Sequence, residues 1–299
     1  MITVIINPIS GTGGRPEIAR RRAEMAAQWT GERGIDAQIF VTERPGHARD
    51  VARSAVARGG RLVVAWGGDG TMNEVASELA FTDVALGMMP SGSGNGLARE
   101  LGLPLDPIAA LEVAVGGAER VIDAGEVDGH LFFNLAGIGL DARVAHRFAQ
   151  DGLVRRGFSR YLEIALRELF TYEADEHTIT FDGGETLRER ALLIAIANGR
   201  QYGNNARIAP HARVDDGCLD VIVVSERPVV EALLQVPRLF TGTVDRVRGV
   251  TSRTAESVEI SSARQVLFHI DGEPFVGSAR IVARARPCAL RVRVPPVKS

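Results

Sequence analysis

Lysine is all but missing from this chain of 299 residues. Lys298 stands alone, every other basic residue is arginine, and no Gly-x-x-x-x-Gly-Lys-Ser/Thr loop exists. Any phosphate chemistry therefore falls to main-chain amides, arginine and metal. Cysteine is as scarce, since Cys218 and Cys288 are too few for a disulfide framework or a zinc site and suit a reducing cytoplasm. No apolar run approaches the length of a membrane span. Residues 1–7 read as a strand and lack the basic start and cleavage region of a signal peptide. A net charge of −2 gives no global pull toward nucleic acid or anionic membrane. His47, His130, His146, His177, His211 and His269 form no metal-ligand spacing, and no Gly-x-Ser-x-Gly elbow occurs, so zinc and serine hydrolysis are unsupported.

What the chain does have is glycine in telling places. The strand-like run over 62–66 stops at Gly67 and Gly68, Asp69 and Gly70 follow, and a helical pattern opens at Thr71 with Asn73 and Glu74. Glycines let backbone N–H groups approach a phosphate, and a helix start offers unpaired donors with partial positive charge. A carboxylate in such a loop repels phosphate unless a divalent cation lies between them. Asp69 thus reads as a ligand of nucleotide-bound Mg²⁺, directly or through water, against the plainer alternative of a tight turn with Asp as a local cap.

The same strand, loop and helix sequence recurs. Residues 2–6 lead into Asn7-Pro8 and Ser10-Gly11-Thr12-Gly13-Gly14 before a helix over 18–29; residues 38–41 close at Thr42 before a helix over 48–58; residues 84–89 lead into Pro90-Ser91-Gly92-Ser93-Gly94-Asn95-Gly96 before a helix over 97–101. Four such units in about 100 residues specify a doubly wound parallel sheet, with the three glycine loops and Thr42 gathered at the carboxyl ends of its strands. None of the loops fits Gly-x-Gly-x-x-Gly with an acidic residue about 20 positions on, which disfavours Rossmann-type dinucleotide binding. Ser93 and Asn95 offer a hydroxyl and an amide to phosphate or ribose, or else cap the helix that follows.

After a helix over 108–115 the texture changes, and the domain boundary is placed near Arg120. Short strand-like runs at 125–127, 131–135, 178–181, 191–197, 219–224, 258–260, 266–270 and 280–283 argue for an antiparallel β-sandwich with helical inserts over 153–170 and 229–241. Domains of residues 1–120 and 121–299 follow, with room for the last residues to pack back on the first. The insert over 153–170 carries Val154, Phe158, Tyr161, Leu162, Ala165 and Leu169 at helical spacing and Arg155, Arg156 and Arg160 near its start, which suits a membrane surface, an apolar pocket or a helix covering the sandwich. Asp271-Gly272-Glu273 ends one strand and places two carboxylates on one face if that strand persists, while Asp-Gly by itself marks a turn. Asp215, Asp216 and Asp220 crowd another strand start, as a hard-cation site or a solvated hairpin.

These motifs together resemble the diacylglycerol kinase catalytic-domain family, which includes sphingosine kinases and bacterial soluble lipid kinases. Asn7-Pro8 with Ser10-Gly11, Gly67 to Thr71 with Asn73-Glu74, Pro90 to Asn95 with the Ala98 to Gly102 stretch, Asp123 to Gly139 with Asn134 and Gly137-Ile138-Gly139, Asp216-Gly217 with Leu219-Asp220, and Asp271-Gly272-Glu273 occur in the family's order nearly end to end. Gly-Gly-Asp-Gly-Thr alone is shared with NAD kinases. The resemblance implies an ATP- and Mg²⁺-dependent kinase of a lipid hydroxyl, working in the cleft between an α/β domain and a β-sandwich. It implies Asp271 as general base and Glu273 as a nucleotide or metal contact. It implies ATP binding by Asn7, Ser10, Thr42, Gly67, Gly68, Asp69, Gly70, Thr71, Asn73, Ser93 and Asn95, with Ser93 standing where the family usually has Thr. A structural Mg²⁺ would sit on the carbonyls of Arg213 and Cys218 and the Asp216 carboxylate. The expected setting is cytoplasmic, at the inner membrane face, with a lipid substrate met in transient contact, no nucleic-acid partner, and a homodimer among the admissible assemblies. A kinase of NAD or another soluble alcohol, and a nucleotide- or lipid-binding sensor without turnover, are the rival readings.

Overall fold

The computed structural model describes residues 1–11, 16–150 and 158–296. Thr12, Gly13 and Gly14 of the first loop, and residues 153–157 of the expected first insert with Val154, Arg155 and Arg156, lie outside the described residues. The chain divides into two compact units, Met1–Ile122 with Cys288–Ser299, and Asp123–Pro287.

The first unit alternates β1 (Ile2–Ile6), α1 (Pro16–Glu32), β2 (Ala37–Val41), α2 (His47–Ala57), β3 (Leu62–Gly67), α3 (Asp69–Leu79) and β4 (Ala85–Pro90), then adds α4 (Gly96–Glu100) and α5 (Pro107–Gly116). The four strands run parallel in the order β4-β3-β1-β2. Val4, Ile6, Val64 and Trp66 pack against Ala26 and Trp29 of α1 and Ala110, Leu111 and Ala114 of α5. The alternate residues Ile5, Val63 and Ala65 are buried on the opposite face, where α2 meets β1 and α3 meets β3. Burial on both faces is why these strands read as unbroken apolar runs. Parallel pairing puts Ile6, Val41, Gly67 and Pro90 at one edge, so the loops that follow them are neighbours.

The remainder of the chain folds as β5 (Ala118–Val127), β6 (His130–Phe132), β7 (Leu135–Gly139), α6 (Leu140–Gln150), α7 (Phe158–Thr171), β8 (Glu176–Phe181), β9 (Glu185–Ala197), β10 (Gln201–Gly203), β11 (Ala206–Arg207), β12 (Leu219–Ser225), α8 (Val229–Thr241), β13 (Val250–Ala255), β14 (Ser257–Ser262), β15 (Leu267–Ile270), β16 (Glu273–Val276) and β17 (Arg280–Val294). The second unit is an antiparallel sandwich. One layer runs β9-β8-β14-β17 and the other β13-β12-β9-β7-β15-β16. β9 serves both, pairing with β8 through residues 185–190 and with β7 and β12 through residues 191–197. Ile179, Phe181, Val258, Ile260 and Ile281 from one layer interlock with Ile138, Ile194, Ile196, Val221, Val223, Phe268 and Ile270 from the other. From Cys288 on, β17 belongs to the first unit, where Val292 pairs with Leu86 of β4.

Three expectations for this half are corrected. The single strand over 131–135 is two, β6 and β7, because Phe133 and Asn134 give their main-chain groups to side chains: the Asp271 carboxylate takes both N–H groups, and the Asn198 amide donates to the Phe133 carbonyl. The strands are not all short, since β9 and β17 each change partners along their length. A third helix, α6, follows Gly139 directly; its buried face is built of Ala142, Val144, Ala145 and an acidic residue, Asp141, too small and too polar to announce a helix.

Candidate active site

At the open edge of the first unit the ladder continues one step past the strands. The Asn7 N–H donates to the Trp66 carbonyl, Thr42 N–H to Ile6 and Ser91 N–H to Gly67, at 2.8 to 2.9 Å. Side chains then tie loop to loop. Asn7 Nδ2 donates to Thr71 Oγ1 at 2.8 Å, and the Ser10 and Ser91 hydroxyls lie 2.8 Å apart. Arg22 of α1 donates to the Asn7 carbonyl and to Ser10 Oγ, with its guanidinium 5.6 Å over the Trp66 ring. Burial lowers the Arg22 pKa from its very high ordinary value, yet leaves a cation here. No motif marked Arg22; it is one of three consecutive arginines on a helix, and only the packing selects it.

Asp69 does not sit as a bare carboxylate facing outward. Its Oδ2 accepts the Asn95 N–H at 2.9 Å and its Oδ1 the Gly96 N–H at 2.7 Å, so it caps α4 and binds the third loop to the second. Asn95, with left-handed backbone (φ 51°), closes that loop by exchanging two bonds with Gly92 at 2.8 Å each. The loops approach so closely that a Cβ on Gly92 would lie 2.7 Å from the Gly68 Cα. α3, in contrast, has Gly68 as its N-cap and so no side-chain cap from that residue, which opens its positive end to an anion. Ser93 is exposed, Thr42 is buried at the end of β2, and Asn73 Oδ1 accepts from Ser77. Asn7, Ser10, residues 67–71 and Asn95 thus form one hydrogen-bonded assembly around an uncapped helix start.

In the second unit, Asp271 and Gly272 are the two central residues of the β15–β16 hairpin, both with positive φ (47° and 92°). The strand therefore does not persist: Glu273 opens β16 opposite Ile270, and the shared-face reading of the two carboxylates is corrected. Asp271 accepts three main-chain bonds, from Phe133, Asn134 and Leu135 at 3.0 to 3.1 Å. A carboxylate so held has a fixed orientation.

At the other end of the same network, Gly217 N–H donates to Oδ2 of the buried Asp123 at 2.7 Å, and Asn198 Nδ2 donates to both the Asp123 and Phe133 carbonyls. Asp123, which opens the stretch likened to the family's entry into its β domain but was not expected as a site residue, and Asn198, which no motif marked, thereby join the Arg213–Cys218 turn to the Asp271 hairpin. Asp216 accepts the Cys218 N–H at 3.2 Å and is exposed. Nearby Asp220 is pushed above the usual carboxylate range, chiefly by burial. Among the described residues no three His, Cys, Asp or Glu side chains converge as metal ligands; a cation at Arg213, Asp216 and Cys218 would take two of its ligands from carbonyls.

Glycine loops around an uncapped helix start at the carboxyl edge of parallel strands, with a sandwich in the same chain, define a nucleotide-phosphate-handling protein. Residues 1–127 match the family described as diacylglycerol kinase catalytic domain. Residues 134–294 match the YegS C-terminal NAD kinase beta sandwich-like domain. A Pseudomonas aeruginosa protein named "Probable lipid kinase YegS-like" is 34% identical over 284 residues, covering 92% of this chain and 89% of its own. One of Yersinia enterocolitica with the same name is 32% identical over 270 residues, covering 89% of each. A crystal structure described as a "putative diacylglycerol kinase" from Bacillus anthracis aligns with a TM-score of 0.81 at 22% identity, covering 99% of this chain and 95% of that one, which shows the shared fold. The chain belongs to the diacylglycerol kinase catalytic-domain family and carries the YegS-type second domain.

Proposed function

We propose that the chain is an ATP-dependent lipid kinase that moves the γ-phosphate of ATP to the hydroxyl of a diacylglycerol-like lipid. The observation that carries the reading is the assembly around the start of α3, where Asn7–Thr71, Ser10–Ser91 and Asp69 with Asn95 and Gly96 hold three glycine loops against an uncapped helix. With one lysine in the chain, the triphosphate is bound by main-chain donors and neutralised by Mg²⁺, for which Asp69 is the protein-side anion. Thr42, Asn73 and Ser93 contribute to nucleotide binding, and Glu273 is a further nucleotide or metal contact. Asp271 takes the proton of the lipid hydroxyl as its oxygen attacks the γ-phosphorus and ADP departs. Such a base contributes typically about 10²- to 10⁴-fold in rate; the rest is positioning and charge neutralisation. The Arg213 and Cys218 carbonyls with Asp216 hold a structural cation that stiffens the turn bonded to Asp123.

No helix among the described residues is long and apolar enough to cross a membrane. The lipid is met at a surface, and α7 offers Leu162, Leu166 and Phe170, all exposed, at four-residue spacing for that contact. Incubation with γ-labelled ATP, Mg²⁺ and a total lipid extract should label a lipid, and chelation of the metal should abolish the transfer. Label in NAD with none in lipid would select the soluble-acceptor reading that the NAD kinase-like sandwich keeps open. Nucleotide binding without transfer to either would select a sensor.

A further inference from the structure

Two residues ahead of Asp271, His269 is buried against Asp141 at the start of α6, each side chain about 5% exposed, with Nε2 3.0 Å from Oδ2. The Tyr202 hydroxyl donates to the same oxygen at 2.7 Å, and the Ala142 N–H to Oδ1 at 2.8 Å. On the other side of the ring, Nδ1 receives the Gly272 N–H at 3.3 Å. An amide N–H can only donate, so Nδ1 carries the lone pair and the proton of the neutral ring sits on Nε2, pointing at Asp141. Space is reserved for this pair: His269 faces Gly137 across the β15–β7 ladder, and a Cβ on Gly137 would overlap both Asp141 Oδ2 and His269 Nε2. The turn it touches is one that needs holding, since Asp271 is a non-glycine residue in left-handed backbone.

We propose that His269, with its proton placed on Nε2 by Asp141, is the positioning residue of the hairpin that presents Asp271, acting through its Nδ1 bond to the Gly272 amide. This rests on the reading of Asp271 as the base. The imidazole is an adaptor: one nitrogen is anchored in the sandwich by Asp141, whose Oδ2 Tyr202 also holds, and the other fixes the amide next to the reacting carboxylate. Asp271 is thereby clamped from two sides, its carboxylate by residues 133–135 and its own turn by His269.

Two substitutions separate the two ends of the ring. In His269→Asn the side-chain oxygen takes the place of Nδ1 and the bond to Asp141 is lost; in His269→Gln the amide nitrogen takes the place of Nε2 and the bond to Gly272 is lost. H269Q is expected to lower kcat roughly 10- to 100-fold with KM for ATP unchanged, while H269N stays within about threefold of wild type. A merely structural role would reverse that order, because H269N leaves the buried Asp141 short of a donor. Equal loss in both, or greater loss in H269N, overturns the proposal. Asp271→Asn in the same assays keeps the two readings apart: if D271N turns over normally the base assignment falls and this proposal with it, whereas an inactive D271N beside equal asparagine and glutamine variants removes this proposal alone. Should either variant fail to fold, ¹⁵N spectra of the wild-type ring decide, with the proton on Nε2 expected and a proton on Nδ1 overturning.

Discussion

Asp69 in the first unit and Asp271 in the second are both carboxylates loaded with main-chain N–H groups, and they are loaded from very different distances. Asp69 reaches residues 26 and 27 positions away, the start of the next loop along the same sheet edge. Asp271 reaches residues 136 to 138 positions away, in a strand broken to receive it. At Asp69 the carboxylate organises the loop; at Asp271 the broken strand organises the carboxylate. A group that holds others in place is costly to remove for binding, and one that is itself held is costly to remove for turnover.

The sharpest way to break that comparison is Asp271→Asn. It keeps side-chain volume and an acceptor oxygen and removes the basicity, so kcat is expected to fall by about 10²- to 10⁴-fold with nucleotide affinity unchanged. Unchanged turnover in labelled-phosphate transfer would remove Asp271 from the chemistry. Gly92→Ala comes next and acts through binding. Its methyl would lie 2.7 Å from the Gly68 Cα, backbone against backbone, so the second and third loops must part. Overpacking of this kind costs about 1–3 kcal/mol, read as a weaker ATP titration and a lower melting temperature. Asp69→Asn is milder, because one oxygen can still cap α4 while the second bond and the charge are lost. About 1 kcal/mol of stability should go, together with nucleotide affinity. Normal ATP affinity in this variant would show that the cap, and no bridging cation, is the whole task of Asp69.

Legibility in the sequence follows the same division. The strand, loop and helix units of the first unit are local, and each was readable from an apolar run ending in a loop, glycine-rich in three of the four and opened by Thr42 in the other; β4 at Ala85–Pro90 lies one residue from the expected 84–89. The convergence of the loops follows from parallel pairing alone. Their cross-links do not, because Arg22 and Ser91 become partners of Ser10 only when α1 and β4 are in place. In the second unit the failures share a cause. The break at Phe133–Asn134 and the His269–Asp141 pair are each decided by residues more than 100 positions apart. The strand-like run over 131–135 therefore promised a continuous strand where non-local bonds make a break, whereas Asp271-Gly272 carried its turn in the Asp-Gly pair and only the shared face for Glu273 depended on the strand persisting.

The smallest effect expected concerns acid. His177 on β8 is buried, and burial lowers its pKa from 6.5, against the opposing pull of its bond and charge interaction with Asp175. The folded chain then keeps His177 neutral at a pH where the unfolded chain already binds the proton, so stability is full above the unfolded value of about 6.5 and falls as pH drops through the window down to the lowered folded value. Asp220 has the opposite sign: its folded pKa is raised, so its contribution is lost as pH rises from 3.8 through the folded value, and the two residues oppose each other wherever their windows meet. His177 and Asp220 both belong to the second unit, and His47, the histidine of the first, is only half-buried. Amide exchange should therefore report that lowering pH from 7 toward 5 loosens the sandwich more than the parallel sheet, and that His177→Gln flattens this difference. Equal loosening of both units, or an unchanged slope in H177Q, would remove His177 as the cause and leave the acid response to the surface carboxylates.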